Sequence, residues 1–154
     1  MAKEIERKFL VKNMDWKTNS QGIYYHQGYL NDEPERTVRV RIAGNKAFLT
    51  IKGISKGFSR DEFEYEIPLT DASEILNKLC FKPNIEKYRY RINYNNHQWE
   101  IDEFAGDNKG LIVAEIELQT EDEKFELPDW IGQEVTGDPR YYNSNLIKNP
   151  YLSW

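Results

Sequence analysis

Glu4-Ile5-Glu6-Arg7-Lys8-Phe9-Leu10-Val11 opens the chain with charge on alternate residues. In an extended strand successive side chains point to opposite faces. Glu4, Glu6 and Lys8 therefore share one side and Ile5, Phe9 and Val11 the other, with Arg7 as the polar exception. Two carboxylates about 7 Å apart beside an ammonium can hold a divalent cation next to an anion. The same spacing also suits a solvated strand face. What decides the fold is that this arrangement returns along the whole chain.

Thr37-Val38-Arg39-Val40-Arg41-Ile42 alternates without a break, arginines on one face and aliphatic groups on the other. Gly44-Asn45 is a hairpin signal leading into Phe48-Leu49-Thr50-Ile51-Lys52. Arg60 to Ile67 sets Arg60, Glu62, Glu64 and Glu66 against Phe63, Tyr65 and Ile67, and stops at Pro68. Glu86 to Tyr94 sets Lys87, Arg89 and Arg91 against Tyr88, Tyr90 and Ile92. In His97 to Phe104, Glu100 and Asp102 share a face, and in Leu111 to Gln119, Glu115 and Glu117 oppose Ala114, Ile116 and Leu118. With the tyrosine-rich stretch Gly22 to Leu30, about eight strands follow one another in hairpin-like succession. Asn13 to Gln21 reads as a short helix or loop. Asp71-Ala72-Ser73-Glu74 has the form of a capping box, starting a helix with Ile75, Leu76, Leu79 and Cys80 on its apolar side and ending at Lys82-Pro83-Asn84. The tail holds Trp130, Ile131 and Val135, then Tyr141, Tyr142, Leu146 and Ile147 near short helices.

Eight strands are enough to close a small barrel. The predicted architecture is mainly β (α+β): a closed antiparallel eight-stranded tunnel barrel with a few peripheral helices, one domain over residues 1–154. Its charged faces would line the lumen, and its apolar faces would pack outward against helices or a second subunit. An open antiparallel sheet with one solvated face has the same periodicity. Charge segregation bears on the choice. Arg39 with Arg41, Lys87 with Arg89 and Arg91, Glu62 with Glu64 and Glu66, and Glu115 with Glu117 are same-sign blocks, whereas a solvated face tends to mix signs because like charges repel. A basic wall facing an acidic wall is the arrangement this suggests.

At 154 residues the chain fits one domain, and 31% charged residues exclude a membrane-spanning helical protein. The charged start, from Lys3, argues against a signal peptide, and the single cysteine, Cys80, points to a reducing cytoplasm. A net charge of −5 disfavours general nucleic-acid binding but says nothing about a local basic cavity. Two histidines, His26 and His97, lack metal-ligand spacing, and there is no P-loop, so phosphate recognition would fall to side chains.

Glu4-x-Glu6-x-Lys8, Val-Arg39-Val-Arg41, Thr-Ile-Lys52, Arg60-x-Glu62-x-Glu64-Tyr-Glu, Lys87-x-Arg89, Glu100-Ile-Asp102 and Ala-Glu115-Ile-Glu117-Leu together resemble the CYTH superfamily, the triphosphate tunnel metalloenzymes. The closing Gly132-x-Glu134-Val-Thr-x-Asp138-x-Arg140-Tyr141-x-Asn143-x-x-Leu146 is similar to its bacterial branch. The resemblance covers essentially the whole chain in order. It implies a metal-dependent triphosphatase that hydrolyses short linear triphosphates with Mg²⁺ or Mn²⁺. By matching positions, Glu4, Glu6, Asp102, Glu115 and Glu117, with Glu62 or Glu64, would serve the metal. Lys8, Arg39, Arg41, Lys52, Lys87 and Arg89 would grip phosphate, and Glu4, Glu6, Lys8 and Glu117 would act in catalysis. Oxygen-only donors suit those hard cations, and arginine forks match phosphate oxygens. Class IV adenylyl cyclase, thiamine triphosphatase and a non-catalytic polyphosphate-binding protein are the alternatives. The cyclase branch carries a His-Phe pair upstream of E-x-E-x-K, and only Met1-Ala2-Lys3 precede Glu4 here. The outer apolar surface further suggests a homodimer.

Overall fold

The computed structural model describes residues 3–17 and 21–154. Among these residues nine strands follow in chain order: β1 (Lys3–Val11), β2 (Ile23–Tyr29), β3 (Arg36–Ala43), β4 (Lys46–Gly53), β5 (Ser59–Ile67), β6 (Ile85–Tyr94), β7 (His97–Phe104), β8 (Ile112–Glu117) and β9 (Ile131–Glu134). The helices are α1 (Leu69–Lys78) and α2 (Asn143–Lys148). A one-turn 3₁₀ segment at Asp15–Lys17 occupies part of the expected Asn13–Gln21 element, of which Thr18 to Ser20 lie outside the described residues.

All pairings are antiparallel. The order β5-β4-β3-β2-β6-β7-β8-β1 closes on itself because Lys3, Glu4 and Ile5 of β1 pair with Asp61, Arg60 and Ser59 of β5. The barrel is thus closed with eight strands, not an open sheet. The ninth strand is a correction to the sequence expectation. Ile131–Glu134 pairs with the far half of β1, at Phe9 and Val11, on the edge that β5 leaves. Four residues with one glycine carry too short a pattern to register as a strand. Arg7, the polar residue on the outer face of β1, fastens β9: its guanidinium donates to both carboxylate oxygens of Glu134, at 2.8 and 2.7 Å, and lies against the rings of Phe58 and Phe125.

The main apolar clusters lie outside the barrel or plug one end of it. Outward residues of β1, β6, β7 and β8, among them Phe9, Tyr90, Trp99 and Ile116, pack with Trp16, Leu118 and Trp130. On the other flank α1 covers Val40 and Ala47 with Ala72, Leu76 and Cys80. Gly28 makes that approach possible. A Cβ there would sit 2.9 Å from Cys80 Cβ and 3.0 Å from Leu76 Cδ2, so the helix rests directly on the β2 backbone.

Helix α1 begins earlier than its capping-box pattern suggested. Pro68 is the N-cap with φ −61°, its carbonyl accepts from Ala72 N, and no side chain caps the helix. Proline cannot continue the β5 ladder but holds the φ a helix start needs. Asp71 instead sits in the first turn, where its charge complements the helix dipole. Leu79, expected on the apolar side, follows the last helical residue and is 65% exposed.

Candidate active site

The lumen changes character with depth, and the strand period of two sets that change residue by residue. Along the inward face of β6 the order is Arg91, Arg89, Lys87, then Ile85. On β1 it is Glu4, Glu6, Lys8, then Leu10; on β8, Glu117, Glu115, then Val113. The apolar level is filled from the tail: Ile85, Phe104 and Val113 pack with Val135, Tyr141, Leu146 and Ile147, and close that end. Above the plug lies a charged cavity of about 290 Å³. A small side cleft at Ser55, Phe58, Ser59, Thr136 and Gly137 leads off where β1 exchanges β5 for β9 as neighbour.

Every site residue expected from sequence lines this cavity except Asp102. Charges are sorted by arc. Acid groups come from β8, β1 and β5, with Glu100 of β7 beside them and the bases Lys8 of β1 and Arg60 of β5 set among them. The other bases come from β4, β3 and β6, with β2 contributing Tyr25 and Tyr29. Val38, Val40, Tyr88, Tyr90 and Ile116 are absent from the lining, as strand alternation requires.

Asp102 is almost wholly enclosed, and both its oxygens are engaged. Arg89 donates from Nε at 2.7 Å and Nη2 at 2.8 Å, and Lys87 Nζ donates at 2.7 Å. The family resemblance sets it among the metal-side carboxylates, but here it is the counter-ion of two bases. Sharing a strand face with Glu100 did not reveal that it lies one level deeper. Burial pushes the Lys87 amine down to about 7, with the charges of Arg89 and Arg41 adding to burial and Asp102 opposing it. Lys87 also donates to Asn143 Oδ1 at 2.9 Å, which links the deepest base to the tail.

The remaining bases differ in how they are matched. Arg39 donates to Thr50 at 3.1 Å and to Glu64 at 3.3 Å. Lys52 lies 3.0 Å from Glu4 and 3.2 Å from Glu62. Arg41 donates from Nε to Gln27 Oε1 at 2.7 Å, but among the described residues it forms no ion pair with a carboxylate. Burial, with Arg39 and Arg89 beside it, lowers its guanidinium to about 9.

The acid arc is strained in the opposite sense. Burial would raise Glu4, but Lys52 and Arg60 together hold its carboxyl well below the usual range. Burial would raise Glu115 as well, but Lys8, Arg89 and a hydrogen bond with Glu6 together bring it down to about 2. Glu6 goes up, pushed by burial and then by Glu115 and Glu4; Glu117 goes up through burial and the charges of Glu4, Glu62 and Glu100. Among the described residues no three acidic, histidine or cysteine side chains stand gathered as a ready metal cage. Carboxyl groups nevertheless crowd one another at Glu6 and Glu117, and the donors there are all oxygen. That is the chemistry a hard dication neutralises.

Four further charged residues lie on the same strands, Arg7, Arg60, Glu66 and Arg91. Arg60 and Arg91 line the cavity; Arg7 and Glu66 do not. Tyr25, Gln27 and Asn143 were not singled out as site residues, since a neutral residue on a strand or helix end carries no charge pattern. Neither histidine reaches the cavity. His26 meets Asn84 and His97 meets Glu123 outside it.

The CYTH domain family matches residues 2–145 of the chain. An inorganic triphosphatase of Acetivibrio thermocellus is 55% identical over 154 residues, which is all of this chain and 99% of the relative. An inorganic triphosphatase of Nitrosomonas europaea is 37% identical over 147 residues, 93% of this chain and 95% of the relative. The crystal structure of an inorganic triphosphatase superposes with a TM-score of 0.67 at 34% identity, covering 93% of this chain and 96% of that one. A closed eight-stranded barrel with a charged lumen, matched along nearly its whole length by that family, leaves one assignment: the chain belongs to the CYTH domain family.

Proposed function

We propose that this protein hydrolyses short linear triphosphates, inorganic tripolyphosphate foremost, with Mg²⁺ or Mn²⁺ as cofactor. The observation that carries this is Arg41, a guanidinium in the cavity wall with no carboxylate partner among the described residues, set between other bases and opposite an acid arc. A cavity that leaves a base unmatched on one side and carboxylates in excess on the other is built for an anion and a cation together. A non-catalytic polyphosphate binder would gain nothing from Glu6 and Glu117.

Arg39, Arg41 and Arg89 would grip phosphate oxygens through their planar forks, while Lys8, Lys52 and Lys87 act as point charges. Glu4, Glu6, Glu62, Glu64, Glu115 and Glu117 are the carboxylates available to a divalent cation. When bound, such an ion neutralises charge that develops on the transferring phosphoryl group. The chain's own part is to hold the anhydride straight along the barrel axis for in-line attack by water, to exclude bulk water at the plugged end, and to keep bases fixed on the leaving phosphate. Turnover of tripolyphosphate, thiamine triphosphate, ATP and long polyphosphate, each with and without Mg²⁺ or Mn²⁺, tests the assignment. Metal-dependent release of phosphate, fastest from tripolyphosphate, is expected; binding without turnover of any of them would overturn it.

No helix among the described residues is long and apolar enough to cross a membrane. We place the protein in the cytoplasm because its single cysteine, Cys80, is unpaired and buried under α1. We also propose a homodimer. Ile51, Phe63 and Tyr65 form an uncovered apolar strip on neighbouring strands β4 and β5, with Ile51 directly opposite Phe63. Sedimentation equilibrium should give twice the chain mass. Phe63→Lys with Tyr65→Lys should return the monomer mass, and a wild-type monomer at high concentration rejects the dimer.

A further inference from the structure

Tyr25 sits near the centre of β2, between β3 and β6, and is only 5% exposed although it lines the cavity. Its backbone pairs with Ala43 on one side and Lys87 on the other. Because those strands flank β2, the guanidiniums of Arg41 and Arg89 approach the ring from either side. Each has its central carbon 4.8 Å from the ring centroid. The Tyr25 hydroxyl in turn accepts from Arg91 Nη2 at 3.1 Å. One aromatic residue therefore touches three cations that belong to two different strands.

Like charges brought together in a cavity wall repel, and a long side chain that is not held samples several rotamers. Arg89 is fixed independently by Asp102. Among the described residues Arg41 has only Gln27 besides the ring, and Arg91, at the mouth, has only Glu100 besides the hydroxyl. An aromatic face attracts a cation through its quadrupole and, unlike a carboxylate, does not cancel the charge presented to a ligand. The ring can thus hold Arg41 in place without neutralising it.

We propose that Tyr25 is a positioning residue of the phosphate grip: its ring spaces Arg41 from Arg89 and aims Arg41 into the cavity, while its hydroxyl orients Arg91 at the entrance. This rests on the triphosphatase assignment above and adds the group that pre-organises the basic arc. Tyr25 itself makes no bond to the reacting atoms. Its contribution is realised before chemistry, so it affects binding more than the chemical step.

The test compares Tyr25→Phe and Tyr25→Leu, using tripolyphosphate as probe in metal-free calorimetry and in steady-state hydrolysis with Mg²⁺. Tyr25→Leu should weaken metal-free binding and raise KM by about tenfold, with kcat within about threefold of wild type. Tyr25→Phe keeps the ring but releases Arg91, and should weaken metal-free binding by about twofold to threefold, well short of Tyr25→Leu. Tyr25→Met, an unbranched filler of the same site, replaces the leucine variant should that one not fold. Wild-type affinity in Tyr25→Leu or Tyr25→Met overturns the proposal. So does a Tyr25→Phe variant as weak as Tyr25→Leu, since the hydroxyl would then outweigh the ring. A wild-type protein that binds no tripolyphosphate overturns the triphosphatase assignment and this proposal with it. Wild-type binding that persists unchanged in the ring-less variant removes only the role of Tyr25.

Discussion

Glu117→Gln is expected to slow metal-dependent tripolyphosphate hydrolysis by roughly 10²–10³-fold while leaving metal-free tripolyphosphate binding intact or slightly tighter. The substitution keeps side-chain size and deletes one of the carboxylates that Glu4, Glu62 and Glu100 crowd in the absence of a cation. With that carboxylate gone a dication is held less well, and one repulsion against the anion disappears. Arg41→Ala should behave conversely. It removes a charge-assisted phosphate contact, so metal-free affinity should fall about 10–100-fold. Its thermal midpoint should hold or rise, because the lost guanidinium had no carboxylate partner among the described residues. Calorimetry without metal, turnover with metal and a melting curve for each variant check the pair. Full activity in Glu117→Gln, or equal loss of anion binding in both, would undo the division into a metal arc and a phosphate arc.

Asp102→Asn is expected to destabilise the protein by about 3–5 kcal/mol, because it leaves Arg89 and Lys87 buried without their counter-charge. Urea unfolding at pH 7 measures this, and the pH dependence identifies its origin. Burial alone would raise the Asp102 carboxyl, but Arg89 and Lys87 hold it far below the ordinary range. A lowered carboxylate stabilises the fold fully above its unfolded-state pKa of about 4, and that stabilisation fades as pH falls toward the folded value. The part of the gap owed to the Asp102 carboxylate should therefore shrink below about pH 4. A gap below about 1 kcal/mol at pH 7 would mean that the ion triad adds little to the fold.

The strand ladder was legible because alternation over eight segments is a repeated signal and needs no knowledge of neighbours. Alternation also placed the charged positions on one face. What it could not say is how far along the barrel axis a residue lies, since that depends on register between strands. Asp102 and Glu100 share a face, yet the pairing of Arg89 opposite Asp102 sends one into the wall and leaves the other at the cavity. Strand β9 and the tail plug escaped notice for a related reason. Ile131–Glu134 is stabilised by an edge of β1 and by the Arg7–Glu134 pair, 127 residues apart in sequence. Tyr25 was hidden because a tyrosine among tyrosines reads as strand packing until the arginines on either side are seen.

The dependence of barrel closure on β1 also bears on how the chain folds. Among the described residues the first strand has no strand partner before β5: it waits for Ser59 to Asp61, then for Val113 to Glu117, and finally for Ile131 to Glu134. The β2–β5 and β6–β8 ladders join neighbours in sequence, whereas β2–β6 and every pairing of β1 close long loops. Since β1 carries Glu4, Glu6 and Lys8, no partly folded intermediate holds a complete acid arc. Recovery of activity on refolding is therefore expected to track the docking of β1, when the first residues meet nearly the last, and not the formation of the local ladders.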